Sequence, residues 1–255
     1  MSHYQAVKFI ELTDAYFEIT QRQDCSILEV GSYDVNGTVR NILKSDNYVG
    51  IDLAEGPGVD KVVGGQDCDF DSEIFDLCIA SEVFEHNPYW KETFENMYRM
   101  TKNHGFVLIT CGSTGRPEHG TARTDPSHAP GAQAIGWDYY HNLSVREFEK
   151  ILREYQFGQH VLLYNKVSKD LYFMGIKGRI DAEGQSSVKS FLNTLNPVFE
   201  RDNQESQVRF GFKTLLLNII ELPVELVANL FPDKYFQNFQ IAYKKLISFL
   251  WLKIK

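Results

Sequence analysis

The chain has 255 residues, 43% of them hydrophobic and 24% charged, with 18 Phe and 13 Tyr, a composition that supports one or two packed domains and excludes a disordered or collagen-like chain. Lys and Arg number 26 against 34 Asp and Glu, a formal charge of −8, so no overall positive field draws it to a nucleic-acid backbone. The charge is uneven: residues 201–255 hold eight basic and five acidic side chains, which leaves −11 on residues 1–200.

Residues 6–20 place Val7, Ile10, Leu12, Tyr16, Phe17 and Ile19 largely on one stripe, which predicts a leading helix over a sheet. A short apolar run, Ile27–Val30, ends at Gly31, and a helical pattern is expected from about Val35. Asn47–Leu53 reads as a second buried strand ending in an acid, and Asp60–Val63 as a short third. Phe75–Ala80 makes a fourth strand. After the Asn87-Pro88 turn, Trp90, Phe94, Met97 and Thr101 recur at helical spacing, Gly105 breaks the pattern, and Phe106–Cys111 reads as a fifth strand. Strands alternating with helices predict a doubly wound α/β sheet, in which ligands sit at the carboxyl ends of the strands.

Gly112–Tyr140 holds five Gly, three Pro and two His without apolar periodicity. A loop this long after a central strand is expected to be functional. A helix near 144–155 follows, with Ser144 and Glu147 in capping-box spacing, then strands near 160–165 and 171–176 that would close the sheet as an antiparallel edge. The predicted organisation is a domain over 1–177, containing the loop 112–140, and a helical C-terminal extension over 178–255. That extension begins with a polar connector, 178–187. Its apolar stretch 215–231 contains Glu221, Pro223 and Glu225 and so would not cross a bilayer. Lys244, Lys245, Lys253 and Lys255 beside Leu250, Trp251 and Leu252 suit a membrane surface, and homodimer contact through these helices or a lid are the other options. Cys25, Cys68, Cys78 and Cys111 fit no zinc or disulfide pattern and are expected to be reduced core thiols. The first residues show no basic segment followed by an apolar run, so a cytoplasmic address, at most peripheral to a membrane, is the expectation.

The segment Glu29-Val30-Gly31-Ser32-Tyr33-Asp34-Val35-Asn36-Gly37 sets an acid at the end of strand one, then two glycines before the next element. Gly31 permits close backbone approach and Glu29 can accept hydrogen bonds from an amino group. The run lacks the middle glycine of the dinucleotide pattern GxGxxG, which counts against a nicotinamide-dependent oxidoreductase, the rival enzyme reading. Asp52, 21 residues beyond Gly31, suits a carboxylate that accepts both hydroxyls of a ribose.

From about Ile27 to Cys111 the chain resembles bacterial class I S-adenosylmethionine-dependent methyltransferases. ILEVGSYDVNG is similar to their first motif, YVGIDL to their second, and FDLCIASEVFEHNPYW through GFVLITC to their stretch from strand four to strand five. The resemblance implies a Rossmann-like seven-stranded sheet and S-adenosylmethionine as cofactor. It implies that Glu29, Gly31 and Gly37 frame the methionine part, Asp52 the ribose and Leu53 one adenine wall; Tyr33 and Ser81 are expected to bind the cofactor as well. Where relatives place an acid for the adenine amine, this chain has Gly64-Gly65-Gln66-Asp67, so Gln66 or Asp67 is expected there.

His86, in Ser81–His86 after strand four, is the first candidate for a base, and His119, His128 and His141 are the others; an imidazole takes a hydroxyl proton near neutrality. Arg123 and Asp125 suit a polar acceptor, and Tyr139 and Tyr140 suit stacking on a sugar ring. The spacing of His119, Asp125 and His128 matches no metal template, and no metal is expected. GRPEHGTARTDP and GWDYYHNLS resemble bacterial methyltransferases of surface-polysaccharide or small-metabolite modification, which implies O-methylation of a small polar or carbohydrate-like acceptor. A non-catalytic cofactor-binding module of a polysaccharide-assembly complex is the remaining alternative.

Overall fold

The computed structural model describes residues 4–180, 186–195, 223–224 and 226–254. Seven strands form one sheet: β1 (Ser26–Val30), β2 (Asn47–Asp52), β3 (Lys61–Val62), β4 (Phe75–Ser81), β5 (Thr101–Gly112), β6 (Phe157–Asn165) and β7 (Asp170–Lys177), in the order β3-β2-β1-β4-β5-β7-β6. The first five run parallel, and β7 lies antiparallel to both β5 and β6. This is the expected Rossmann-like seven-stranded sheet with its antiparallel edge.

The period of two along each strand sorts the apolar side chains onto two faces. Leu77, Ile79, Phe106 and Leu108 join a core under α1 (Tyr4–Phe17), with Phe9, Ile10 and Tyr172. Val188, Phe191 and Leu195, from helical residues 186–195, are buried in that core too. Cys78, Ala80, Val107 and Ile109 face the other way, toward α2 (Trp90–Met100) and α4 (Val145–Leu152). α2 buries Trp90, Thr93, Phe94, Met97 and Met100, a stripe at helical spacing. Each such large apolar side chain contributes about 1.5–3 kcal/mol when fully withdrawn from water. α2 ends at Met100, because Thr101 turns extended and spends its hydroxyl on the Met97 carbonyl at 2.7 Å.

Two local expectations change. No α-helix follows β1; the chain makes a 3-10 turn, Val39–Asn41. The Asp34 carboxylate accepts the Gly37 amide at 2.7 Å, Gly37 stands at φ 115°, and the Thr38 side chain accepts from the Arg40 amide. These local bonds compete with helix propagation. The loop 112–140 is also more ordered than its composition suggests. It holds a 3-10 turn, Pro126–His128, capped by Asp125, and then the short α3 (Pro130–Ala134). α4 begins with the expected capping box of Ser144 and Glu147.

All four cysteines are free and buried. No helix among the described residues is long and apolar enough to cross a membrane. Residues 181–185 of the polar connector, residues 215–222 of the apolar stretch and the side chains of 250–255 lie outside the described residues. The last helix, α5 (Asp233–Ile254), buries Phe236, Gln237 and Gln240.

Candidate active site

The parallel register of β1 and β2 pairs Glu29 with Gly50 and Val30 with Ile51, which brings Gly31 and Asp52 side by side at the carboxyl edge. Gly31 and Ser32 both donate their amides to the Ile51 carbonyl, at 2.8 and 3.0 Å, so the loop folds back across β2. Gly31 has φ 78°, and a Cβ there would fall 2.2 Å from Val83 Cγ2. Glycine is needed on both counts.

This bend opens a cleft whose walls include Glu29, Gly31, Tyr33, Gly37, Asp52, Leu53 and Ser81. Glu29 is 5% exposed and accepts a hydrogen bond from the Tyr48 hydroxyl at 2.8 Å. Burial pushes its pKa up to about 7, with the Tyr48 bond and the Arg40 charge opposing. Asp52 accepts the amides of Tyr33 at 3.1 Å and Leu53 at 2.7 Å, while burial raises its pKa above the usual range. Gly64 and Gly65 face the cleft from the next loop. Gln66 and Asp67 do not: they lie on the 3-10 turn Gly65–Asp67, where the Gln66 amide donates to Asp67 at 2.7 Å and the Asn96 amide binds the loop's carbonyls.

The lining also includes His86 and the segment His128–Ala132. His86 belongs to the 3-10 turn Phe84–His86 after β4 and is 8% exposed. Burial lowers its pKa to about 3, so the imidazole is uncharged at neutral pH. Its ring centroid lies 4.9 Å from that of His119 and 5.4 Å from that of Tyr140, and His119 is 6.1 Å from His128. His119 is likewise held uncharged, its pKa lowered to about 4 by burial. Three of the four candidate histidines and Tyr140 thus form one cluster.

Beneath it lies a carboxylate group that the motifs only half revealed. Glu82 adopts φ 57°, a left-handed conformation costly for a residue with a side chain, and both of its carboxylate oxygens are buried without a hydrogen-bond partner. Burial and the neighbouring Glu85 raise its pKa. Asp170, at the start of β7, is pushed up to about 7 by burial with Glu82 nearby, and Arg116 Nη1 stands 3.2 Å from it. Arg116 and Asp170 carry no local motif; only the register Gly112↔Asp170 between β5 and β7 brings them here.

The other predicted acceptor residues hold the loop in place. Arg123 donates to Glu118 through Nε at 2.7 Å and pairs with its second oxygen, and also reaches Asn238 on α5 at 2.7 Å. Asp125 caps its own turn through the Ser127 amide. Tyr139 is half-buried. His141 stands apart from the histidine cluster, with Nε2 3.2 Å from Glu147 and Nδ1 3.7 Å from Asp233. Those carboxylates raise its pKa to about 9. Asp233 also accepts the Asn142 amide at 3.1 Å, and Gln237 accepts the Glu118 amide at 2.9 Å. Sequence reasoning missed this role of α5, since nothing local in Asp233 or Gln237 signals contact with a loop some hundred residues earlier.

Residues 36–109 match the family model of a methyltransferase domain. The matched stretch includes Asp52, Glu82, Glu85 and His86, and stops before the loop that carries His119 and Tyr140. S-adenosylmethionine is the cofactor of such a domain, and the match supports methyltransferase chemistry. No curated protein matches the chain. Among solved structures, it is similar to the 1,6-didemethyltoxoflavin-N1-methyltransferase of Burkholderia thailandensis, with bound 1,6-didemethyltoxoflavin and S-adenosylhomocysteine. That likeness has 12% identity and a TM-score of 0.46, covering 68% of this chain and 79% of the other. It is also similar to the N-methyltransferase NodS of Bradyrhizobium japonicum, in complex with S-adenosylhomocysteine, at 11% identity and a TM-score of 0.45, covering 69% and 89%.

The cleft fits the cofactor by the chemistry of its donor set. Two carboxylates on the lining, Glu29 and Asp52, suit an ammonium and a ribose diol, the Gly31 bend permits close approach of a ligand, and Ser32 Oγ, buried on the lining, has no protein partner.

Proposed function

We propose that the protein transfers a methyl group from S-adenosylmethionine to a hydroxyl of a small polar acceptor, a sugar or related metabolite, held under the loop 112–140. The cofactor supplies an electrophilic methyl on a sulfonium. In this reading Glu29 holds the ammonium of its methionine end, Asp52 accepts the ribose hydroxyls, and Gly31 admits the chain that joins them.

One observation carries the proposal: His86, an uncharged imidazole with Nδ1 free of partners, lines the same cleft as Glu29 and Asp52. An imidazole so placed accepts the hydrogen bond of an attacking hydroxyl and orients it, and, being a weak base here, takes the proton only as the O–methyl bond forms and the oxygen turns acidic, while α3 and the loop exclude water. With a base this weak, most of the rate advantage is positioning, up to ~7–11 kcal/mol in favourable intramolecular cases. The acidic cluster of Glu82, Glu85 and Asp170 disfavours anionic acceptors and suits neutral polyhydroxyl ones.

The test is a cellular metabolite extract incubated with the protein and isotopically labelled methyl donor, followed by mass spectrometry. A hydroxylated metabolite that gains the label, and does so far more slowly with His86→Ala, is the expected outcome. Label appearing on nitrogen or carbon, or no labelled product at all, overturns the reading.

A further inference from the structure

Three metal-ligating side chains converge beside the cleft, and each has one lone pair that the protein leaves unspent. Glu85, His86 and His119 each bring a ligand atom, all within 4.8 Å of one another. Glu85 is fully buried; its Oε1 accepts the Gly112 amide at 2.9 Å, and its Oε2 has no partner. His86 is 8% exposed and its Nδ1 has no partner. His119 Nδ1 lies 3.1 Å from the Pro117 carbonyl. A carbonyl only accepts, so Nδ1 carries the hydrogen and Nε2 keeps the lone pair.

We propose that these residues form a site for a divalent transition-metal ion of the zinc class. Three points support it beyond proximity. First, a buried carboxylate oxygen and a buried imidazole nitrogen left without partners are costly, and one cation satisfies both. Second, the bonds already made are those that orient ligands: metal-binding histidines commonly donate their other N–H to a backbone carbonyl, as His119 does, and ligating carboxylates accept a further hydrogen bond, as Glu85 does from Gly112. Third, the approach of the two histidines depends on Gly120, since a Cβ there would fall 2.6 Å from His86 Cε1.

Two imidazoles and one carboxylate leave a fourth tetrahedral position open, the pattern of sites that bind a reactant rather than only brace a fold. His86 lines the donor cleft and His119 belongs to the loop 112–140, so the three ligands join cleft and loop. The inference rests on the acceptor site proposed above and revises one role in it. With the ion bound, His86 is a ligand, and the cation makes a bound acceptor hydroxyl more acidic.

The test uses the full chain, stripped of metal by chelator and titrated with Zn²⁺ in a calorimeter, with metal content after dialysis read by plasma mass spectrometry. One zinc per chain is expected, with affinity at least tenfold weaker in both His119→Ala and Glu85→Gln. S-adenosylmethionine titration of the same variants, expected to match the wild type, shows that the fold survives. Zinc uptake that persists equally in both variants marks adventitious binding to other histidines and overturns the proposal, as does no uptake by the wild type. If zinc binds as expected and S-adenosylmethionine does not bind the wild type, the methyl-transfer reading fails and the metal site stands; the converse result sinks the metal site alone.

Discussion

Gly131 lies directly against Asp52: a Cβ on Gly131 would stand 2.0 Å from Asp52 Oδ1. The segment after β5 thereby reaches the carboxylate at the tip of β2, and α3 becomes a wall of the cleft. Gly131→Ala forces either α3 or the carboxylate to move. We expect S-adenosylmethionine affinity to fall about tenfold or more, since one charge-assisted hydrogen bond is worth ~1.5–3 kcal/mol, with little change in thermal stability. Calorimetric titration beside a melting curve checks both halves.

Glu29 links pH to both stability and binding. Its pKa is raised from 4.5 to about 7 by burial, with Tyr48 and Arg40 opposing and Asp52 and Asp34 adding to the rise. A carboxyl raised in the folded state favours folding below its unfolded pKa and loses that contribution as pH climbs through the folded value. The ligand-free protein should therefore lose stability between pH 4.5 and 7, by about 3 kcal/mol from this group at 1.36 kcal/mol per unit. Cofactor binding should strengthen over the same range, because an ammonium pairs with the carboxylate form. Melting and binding measured across pH 5–8 are expected to show opposite slopes that flatten in Glu29→Gln.

The His141 clamp responds in a different window. Glu147 on α4 and Asp233 on α5 raise its pKa from 6.5 to about 9, so the charged clamp is intact below 6.5 and is lost as pH rises through 9. Hydrogen exchange in residues 112–142, corrected for its intrinsic pH dependence, should accelerate over that interval. In Asp233→Asn it should already be fast at pH 7, because the Asn142 amide loses its charged acceptor as well.

A core prediction tests the two-faced sheet. Phe94 is fully buried and meets Phe148, Tyr155 and Phe173 at ring-centroid distances of 5.5, 5.1 and 6.0 Å. Phe94→Ala should cost about 3–5 kcal/mol in chemical denaturation, the usual penalty for truncating a large aromatic in a closed core.

The features legible in the sequence were those with local causes. Apolar runs ending in Gly31 and in Asp52 marked the strand tips, and the Ser144–Glu147 spacing marked a helix start, because strand burial and capping are properties of a few adjacent residues. The helix expected after β1 gave way to Asp34, Gly37 and Thr38, whose side-chain and backbone bonds are equally local but compete with the apolar pattern. The Arg116–Asp170 pair and the grip of Asp233 on Asn142 join residues 54 and 91 positions apart. Such pairs follow from strand register and helix docking, which no short window contains. His141 illustrates the same limit: as a residue type it resembles His86, and only its two carboxylate neighbours set it apart.

The most direct measurement is a calorimetric titration of S-adenosylmethionine into the wild type and Asp52→Ala. One site per chain is expected in the wild type, with affinity weaker by at least a factor of ten in the variant and the fold intact by circular dichroism. Equal affinity in the two proteins, or no binding to either, would contradict that expectation.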